Sequence, residues 1–128
     1  MRILLDTHIL LWALGQPGKL PGTARAMLVD RENEVLFSAA SIWEIAIKVQ
    51  AGRAGFSVSP AEIAAAAVNS GFDELPVRAA HAAAVHQLPL HHRDPFDRLL
   101  LAQAIGEPAR LVTVDRALAK YSELVQVL

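Results

Sequence analysis

The sequence predicts an α/β domain in which a mostly parallel sheet is covered by helices on both faces. Short apolar segments alternate with longer stretches that carry helix-start signals, and this alternation is typical of parallel sheets. Five strands are predicted, at residues 2–5, 35–37, 75–77, 111–114 and 124–127, of which the third and fifth have the weaker patterns. Functional sites of such sheets lie at the carboxyl ends of the strands.

The helices are predicted from capping side chains and from prolines that suit a first turn. These signals are Pro21 before GTARAMLVDRE, Ser38 or Ser41 before a helix that runs through residue 49, Ser59-Pro60, and Asp94-Pro95 before FDRLLLAQA. The alanine-rich stretches AEIAAAAV and RAAHAAAV also favour helix, because alanine loses no side-chain freedom there.

Composition limits the classes of protein to consider. The 128 residues fit one domain spanning residues 1–128. The apolar runs are shorter than the roughly 18 to 20 residues that span a bilayer, and the start MRILLD has no signal-peptide pattern. There is no cysteine, which excludes disulfides, thiolate nucleophiles and cysteine zinc sites. We therefore expect a cytoplasmic protein with no membrane contact.

Four acidic residues lie near the ends of predicted elements. They are Asp6 closing MRILLD, Glu44 in SAASIWEIAIK, Asp97 in HHRDPFDRLLLAQA and Asp115 in RLVTVDRAL. Two like charges about 4 Å apart repel by roughly 4 kcal/mol at an effective dielectric near 20, so acids that converge need a proton or a cation between them. Hard divalent cations such as Mg²⁺ prefer oxygen ligands. The pattern therefore favours a hydrolytic metal site with a bound water as the nucleophile.

Helix-start chemistry offers a second interpretation for two of these acids, and it also accounts for the neighbouring Asp94. Asp94 suits an N-cap, Asp97 suits the positive end of the helix dipole, and Asp115 also suits an N-cap. For Asp97 both roles are compatible, since a carboxylate in a first turn can also face a crevice. Asp6 is the hardest to explain in this way, because an acid that closes a buried strand does little for solubility.

Periodicity alone predicts that Glu44 is a surface residue. The apolar stripe of its helix passes through residues 42, 45, 46 and 49, so Glu44 and Lys48 fall on the opposite side at pairing distance. Nothing in the helical pattern itself requires Glu44 at a site.

A nuclease would need a local basic rim, because the net charge of −1 does not point to nucleic acid. The cations close in sequence to the acids are Lys48, Arg53, Arg93, Arg98, Arg116 and Lys120. Ordinary solvated surface is an equally good interpretation for each of them. The histidines, at positions 8, 81, 86, 91 and 92, are expected to be surface or packing residues, although the run His91-His92-Arg93 could contact a phosphate.

The segments LLDTHILLW, SAASIWEIAIK, RDPFDRLLLAQA and LVTVDRAL, in this order, resemble the PIN-domain family, specifically the VapC-type toxins of bacterial toxin–antitoxin pairs. The resemblance extends over nearly the whole chain. It implies a three-layer α/β/α sandwich with a central parallel sheet, Mg²⁺- or Mn²⁺-dependent endoribonuclease activity on RNA, a homodimer, and neutralisation by a VapB-type antitoxin.

The same resemblance implies the site residues. The catalytic and metal-binding acids would be Asp6, Asp97, Asp115 and Glu44, the last one directly or through water. Thr113 would be a supporting hydroxyl near the fourth acid. Asp94 belongs to a DPFD variant of the family motif, and its contact with the metal is an open question.

Other classes fit less well. A haloacid-dehalogenase phosphatase needs a second aspartate where this chain has His8, and a phospho-receiver domain needs an acid pair and a late lysine that are absent. The remaining alternative is a catalytically inactive PIN-like module that binds RNA or a partner, although the presence of all four acids argues against it. Trp43 and Ile47 are candidates for a dimer or antitoxin contact.

Overall fold

A five-stranded sheet forms the centre of the computed structural model, which describes residues 1–53 and 58–128. The strands are β1 (Arg2–Leu5), β2 (Glu34–Ser38), β3 (Asp73–Leu75), β4 (Arg110–Thr113) and β5 (Val125–Val127). Their order is β3-β2-β1-β4-β5, and each neighbouring pair is parallel. The first strand is therefore central, between β2 and β4.

The strand predictions hold, with one shift in position. The third strand covers Asp73–Leu75 rather than residues 75–77, so only Leu75 is shared. Pro76 follows directly and has no backbone N–H for a ladder hydrogen bond, which ends the strand at Leu75.

Six helices surround the sheet in the described ranges. They are α1 (Thr7–Gly15), α2 (Gly22–Val29), α3 (Ala39–Gln50), α4 (Pro60–Asn69), α5 (Ala79–Ala84) and α6 (Pro95–Gly106). Short 3₁₀ turns cover Pro17–Lys19, Val85–Gln87 and Arg116–Lys120. Within those ranges, every helix is too short or too polar to cross a bilayer.

The predicted helix starts carry the predicted caps. Ser38 accepts a hydrogen bond from the N–H of Ala40 at 3.0 Å and so caps α3, whereas Ser41 is buried inside that helix. Ser59 caps α4 through the N–H of Glu62 at 3.3 Å. These bonds satisfy N–H groups that have no partner within the helix.

The core lies on both faces of the sheet. Ile3 and Leu5 of β1 belong to the apolar cluster on one face, and Leu4 between them belongs to the cluster on the other face. Successive side chains of a strand point to opposite faces, so a strand that is apolar throughout is buried between two helical layers. The predicted three-layer α/β/α class with a parallel central sheet is confirmed.

Candidate functional site

Asp6 lies at the carboxyl end of the central strand. Its backbone N–H donates to the Val112 carbonyl at 3.0 Å, and its carboxylate accepts the N–H of Ile9 at 2.8 Å, which caps α1. The side chain is buried, with 5% of the residue exposed. Burial raises the pKa of Asp6, and hydrogen bonds from Thr113 and Ile9 counter part of that rise.

Thr113 joins the ends of β1 and β4. Its hydroxyl donates to Oδ2 of Asp6 and accepts the backbone N–H of Asp115 at 3.0 Å. Asp115 in turn accepts the N–H of Ala117 at 3.0 Å and caps the 3₁₀ turn that follows. The buried threonine, which is fully inaccessible to solvent, thus fixes the first and fourth acids relative to each other.

Glu44 is buried rather than on the surface, so the prediction from periodicity was wrong. Only 5% of the residue is exposed, and Oε1 accepts the hydroxyl of Thr7 at 2.7 Å. Helix α3 packs against α1, α4 and α6, so it has more than one buried face and a single apolar stripe does not describe it. The predicted pairing with Lys48 is present, because Nζ lies 2.7 Å from Oε2 of Glu44.

Asp94 and Asp97 begin helix α6. Asp94 accepts the N–H groups of Phe96 at 2.9 Å and Asp97 at 3.4 Å, so it is the N-cap, as the helix-start interpretation predicts. Asp97 occupies the first turn. Burial, followed by the negative charges of Asp94 and Asp6, raises the pKa of Asp97 to about 7, while His92 acts in the opposite direction.

His92 lies among the acids, which corrects the surface or packing role that the sequence predicts for it. Its Nε2 is 2.7 Å from Oδ2 of Asp115 and 3.5 Å from Oδ2 of Asp97. The hydrogen bond from His92 lowers the pKa of Asp115. The residue sits in an irregular segment before α6, where periodicity gives no information; its position two residues before Asp94 was the available signal.

The other histidines follow the expectation. His8, His86 and His91 are exposed. His81 is buried, and its Nε2 lies 3.0 Å from the carboxylate of Glu107, at the opposite end of α6 from Asp97.

The predicted basic residues differ in exposure, and Lys48, which pairs with Glu44, is half-buried. Arg53, Arg93, Arg116 and Lys120 are exposed. Arg98 differs from its predicted place on a basic rim, because only 8% of it is exposed. Its guanidinium donates to the carbonyls of Pro89 at 2.7 Å, Val85 at 3.2 Å and Leu88 at 3.3 Å. Arg98 therefore holds the segment that leads to His92, and contributes no charge to the surface.

Two aromatic rings lie next to the acids in sequence. Trp43 precedes Glu44 and is 61% exposed, and Phe96 precedes Asp97. Their ring centroids are 5.2 Å apart with the planes at 71°, an edge-to-face arrangement. Ile47, one turn after Trp43, is also exposed, so this face of α3 is an apolar surface beside the acids.

The donor set fits a hard divalent cation. Asp6, Glu44 and Asp97 influence one another electrostatically, because the charge of Glu44 raises the pKa of both aspartates. Buried like charges at this proximity require a proton or a cation. Carboxylate oxygens suit Mg²⁺ and Mn²⁺. Within residues 1–53 and 58–128, the side chains of His92, Asp97 and Asp115 also come close enough to surround one ion.

Comparison with known proteins gives a family and a fold. The family model of the PIN domain matches residues 3–124. No curated protein sequence matches the chain.

Solved structures with a similar fold include DNA-bound complexes named VapBC. VapBC2 from Rickettsia felis, bound to a DNA fragment from its promoter, gives a TM-score of 0.72 at 18% identity and covers 100% of this chain and 99% of the other. DNA-bound VapBC from Salmonella typhimurium gives 0.69 at 14% identity, covering 100% and 97%. FitAcB from Neisseria gonorrhoeae gives 0.60 at 19% identity, covering 96% and 95%. These likenesses support the fold.

Proposed function

The chain belongs to the PIN domain family, and from this premise we propose that it is a metal-dependent endoribonuclease that acts as the toxin of a toxin–antitoxin pair. The observation that carries the proposal is the meeting of carboxylates from four different parts of the chain at one edge of the sheet. Asp6 follows β1, Glu44 lies in α3, Asp97 opens α6 and Asp115 follows β4. Bringing four carboxylates together, two of them buried, is costly for stability alone, which favours a role in holding a cation.

In the proposed mechanism the four acids hold the divalent cation. Asp6, Asp97 and Asp115 would bind Mg²⁺ or Mn²⁺, and Glu44 would bind directly or through water. Such an ion supplies Lewis-acid polarisation of the phosphate and a bound water of lowered pKa. Thr113 keeps the carboxylate of Asp6 aligned with the backbone of Asp115.

The exposed cations give the proposed path of the RNA. Arg93 lies next to the cap of α6 and Arg116 next to the fourth acid, both exposed, so both can neutralise phosphates that flank the scissile bond. Arg53 is exposed at the end of the first described range and is proposed as a further phosphate contact. Lys48 is bound to Glu44 at 2.7 Å, so its first role is to balance that buried carboxylate.

The partners proposed are a VapB-type antitoxin and a second copy of this chain, with the protein acting in the cytoplasm. The structural neighbours named VapBC support the antitoxin. The exposed face of Trp43 and Ile47 supports a protein contact, because large exposed apolar side chains that adjoin each other are typical of interfaces.

Light scattering of Trp43→Glu should give half the mass of the wild type. Val68→Glu, an exposed apolar position on α4, is the control, and equal masses for all three proteins would remove Trp43 from the dimer contact.

The function is tested by incubating purified, antitoxin-free protein with mixed RNA in Mg²⁺, in Mn²⁺ or in EDTA. We expect cleavage with the metals, loss of cleavage in EDTA, and loss in Asp6→Asn. Glu62→Gln, an exposed acid in the first turn of α4, should cleave like the wild type.

Two results would contradict the proposal. Equal cleavage by wild type and Asp6→Asn would assign the activity to a contaminant. RNA binding without cleavage in any metal would favour the inactive binding module.

A further inference from the structure

His92 is held in one orientation by hydrogen bonds on three sides. Its backbone N–H donates to Oη of Tyr121 at 2.7 Å. On the imidazole, Nδ1 accepts the backbone N–H of Asp94 at 3.0 Å, and Nε2 lies 2.7 Å from Oδ2 of Asp115. The side chain is only 17% exposed, so the ring is both fixed and largely shielded from water.

The segment that carries His92 is itself fixed from below. Arg98 donates to three backbone carbonyls between residues 85 and 89, and its guanidinium also donates to Oη of Tyr121 at 3.1 Å. Tyr121 therefore joins the buried arginine to the backbone of His92. These contacts restrict the position of His92 relative to the acids.

The hydrogen-bond pattern determines which ring nitrogen carries the proton. A nitrogen that accepts an N–H has no proton of its own, so Nδ1 is unprotonated and the proton of the neutral ring is on Nε2. Nε2 is then a donor aimed at Asp115. A metal ligand needs a free lone pair on its nitrogen, so the ring in this orientation binds a carboxylate and not an ion.

Asp115 is the acid that most needs such support. Its side chain is 39% exposed, compared with 21% for Asp97 and 7% for Glu44. Packing therefore restricts it least. The Ala117 N–H holds Oδ1 and the His92 ring holds Oδ2, and each carboxylate oxygen retains a second lone pair for a cation.

We propose that His92 is a positioning residue that orients the Asp115 carboxylate toward the divalent cation and does not itself ligate the ion. This inference rests on the proposed metal-dependent function. It gives the histidine a place outside the ligand set, although its distances to Asp97 and Asp115 would also suit a ligand. Partners of this kind contribute to affinity because they remove the freedom that a ligand would otherwise lose on binding.

The test measures Mn²⁺ binding without RNA, by calorimetric titration of the metal-free protein. We expect His92→Ala to weaken binding by about 10- to 100-fold. His92→Gln, whose amide N–H can reach the same oxygen, should recover most of that loss. His86→Ala, at an exposed histidine outside the site, is the control and should bind like the wild type.

Pulsed electron paramagnetic resonance of the Mn²⁺ complex gives a second readout that does not depend on activity. Because Nε2 faces the carboxylate, the spectrum should lack the coupling that a directly bound ¹⁴N nucleus produces. Circular dichroism of each variant at the titration temperature checks that it is folded. If His92→Ala is not folded, His92→Gln replaces it in the comparison with the wild type.

Three results would overturn the inference. Strong ¹⁴N coupling in the wild type that disappears in His92→Gln would make His92 a ligand. Wild-type or tighter binding by folded His92→Ala would mean that the ring has no positioning role or competes with the ion. A wild-type protein that binds no Mn²⁺ would overturn the metal part of the proposed function, and this inference with it.

Discussion

Replacing Asp97 by asparagine should stabilise the metal-free protein at alkaline pH. Burial and the charges of Asp94 and Asp6 raise the pKa of Asp97 to about 7 from 3.8. Asparagine has the shape of the protonated carboxyl group but cannot ionise. The variant therefore avoids the unfavourable free energy of forming a negative charge among the other acids.

The sign and size of the effect follow from linkage between protonation and folding. Between pH 3.8 and about 7, folded Asp97 keeps a proton that the unfolded chain has lost, so the free energy of unfolding falls as pH rises through this window and is constant above it. A shift of about three units corresponds to about 4 kcal/mol at 1.36 kcal/mol per unit. Solvent screening of a side chain that is 21% exposed reduces this, and we expect about 1 to 3 kcal/mol.

The assay is urea unfolding in EDTA, followed by circular dichroism, at intervals from pH 4 to pH 8. Asp97→Asn and wild type should have similar stability near pH 4, and the difference should grow in favour of the variant up to pH 8. Glu62→Gln is the matched control, because Glu62 is also an acid in the first turn of a capped helix but is exposed. It should lose a few tenths of a kcal/mol at neutral pH through the helix dipole.

Adding Mn²⁺ should reverse the order at pH 8. A ligand that binds the folded state stabilises it by RT ln(1 + [L]/Kd). Asp97→Asn lacks one of the proposed carboxylate ligands, so Mn²⁺ should bind it more weakly and stabilise it less than the wild type. The reasoning would be refuted if metal-free Asp97→Asn were less stable than the wild type at pH 8, or if the difference between them did not change with pH.

Two further predictions concern the segments around α6. Arg98→Leu should lower the free energy of unfolding by about 2 to 4 kcal/mol, because several backbone carbonyls lose their donor. The control is Arg93→Leu at an exposed position, which should change the free energy of unfolding by less than about 0.5 kcal/mol. Equal effects of the two variants in urea unfolding would contradict the burial of Arg98. Asp94→Asn keeps a capping oxygen while removing a charge, so it should lower the pKa of Asp97. Carboxyl ¹³C NMR titration measures that pKa, and an unchanged value would show that Asp94 does not act on it.

The acids at strand ends could be predicted from sequence because their position depends on local order. An apolar strand followed directly by an acid delivers that acid to the carboxyl edge of a parallel sheet, and Asp6 and Asp115 lie there, after β1 and β4. Asp94-Pro95 likewise specified the start of α6 through cap chemistry that involves only neighbouring residues.

The residues that sequence reasoning misplaced depend on tertiary contacts. Glu44 is buried because α1 and α6 pack against α3 from sides that its periodicity left open. Arg98 resembles a surface cation in a first turn, and it is buried because the chain between residues 85 and 89 folds over it. His92 reaches the acids through the same segment. None of these contacts produces a periodic pattern of apolar residues in the sequence.

The central place of β1 determines when the site can assemble during synthesis. A ribosome that has completed β3 has made Asp6 and Glu44, but not Asp97, Thr113 or Asp115. The hydrogen bond between Thr113 and Asp6 spans 107 positions, so Asp6 lacks this partner until translation has passed β4. If the chain is the nuclease proposed, a nascent polypeptide is harmless to the RNA around it, and the hazard to the cell begins only when β4 is available to insert beside β1.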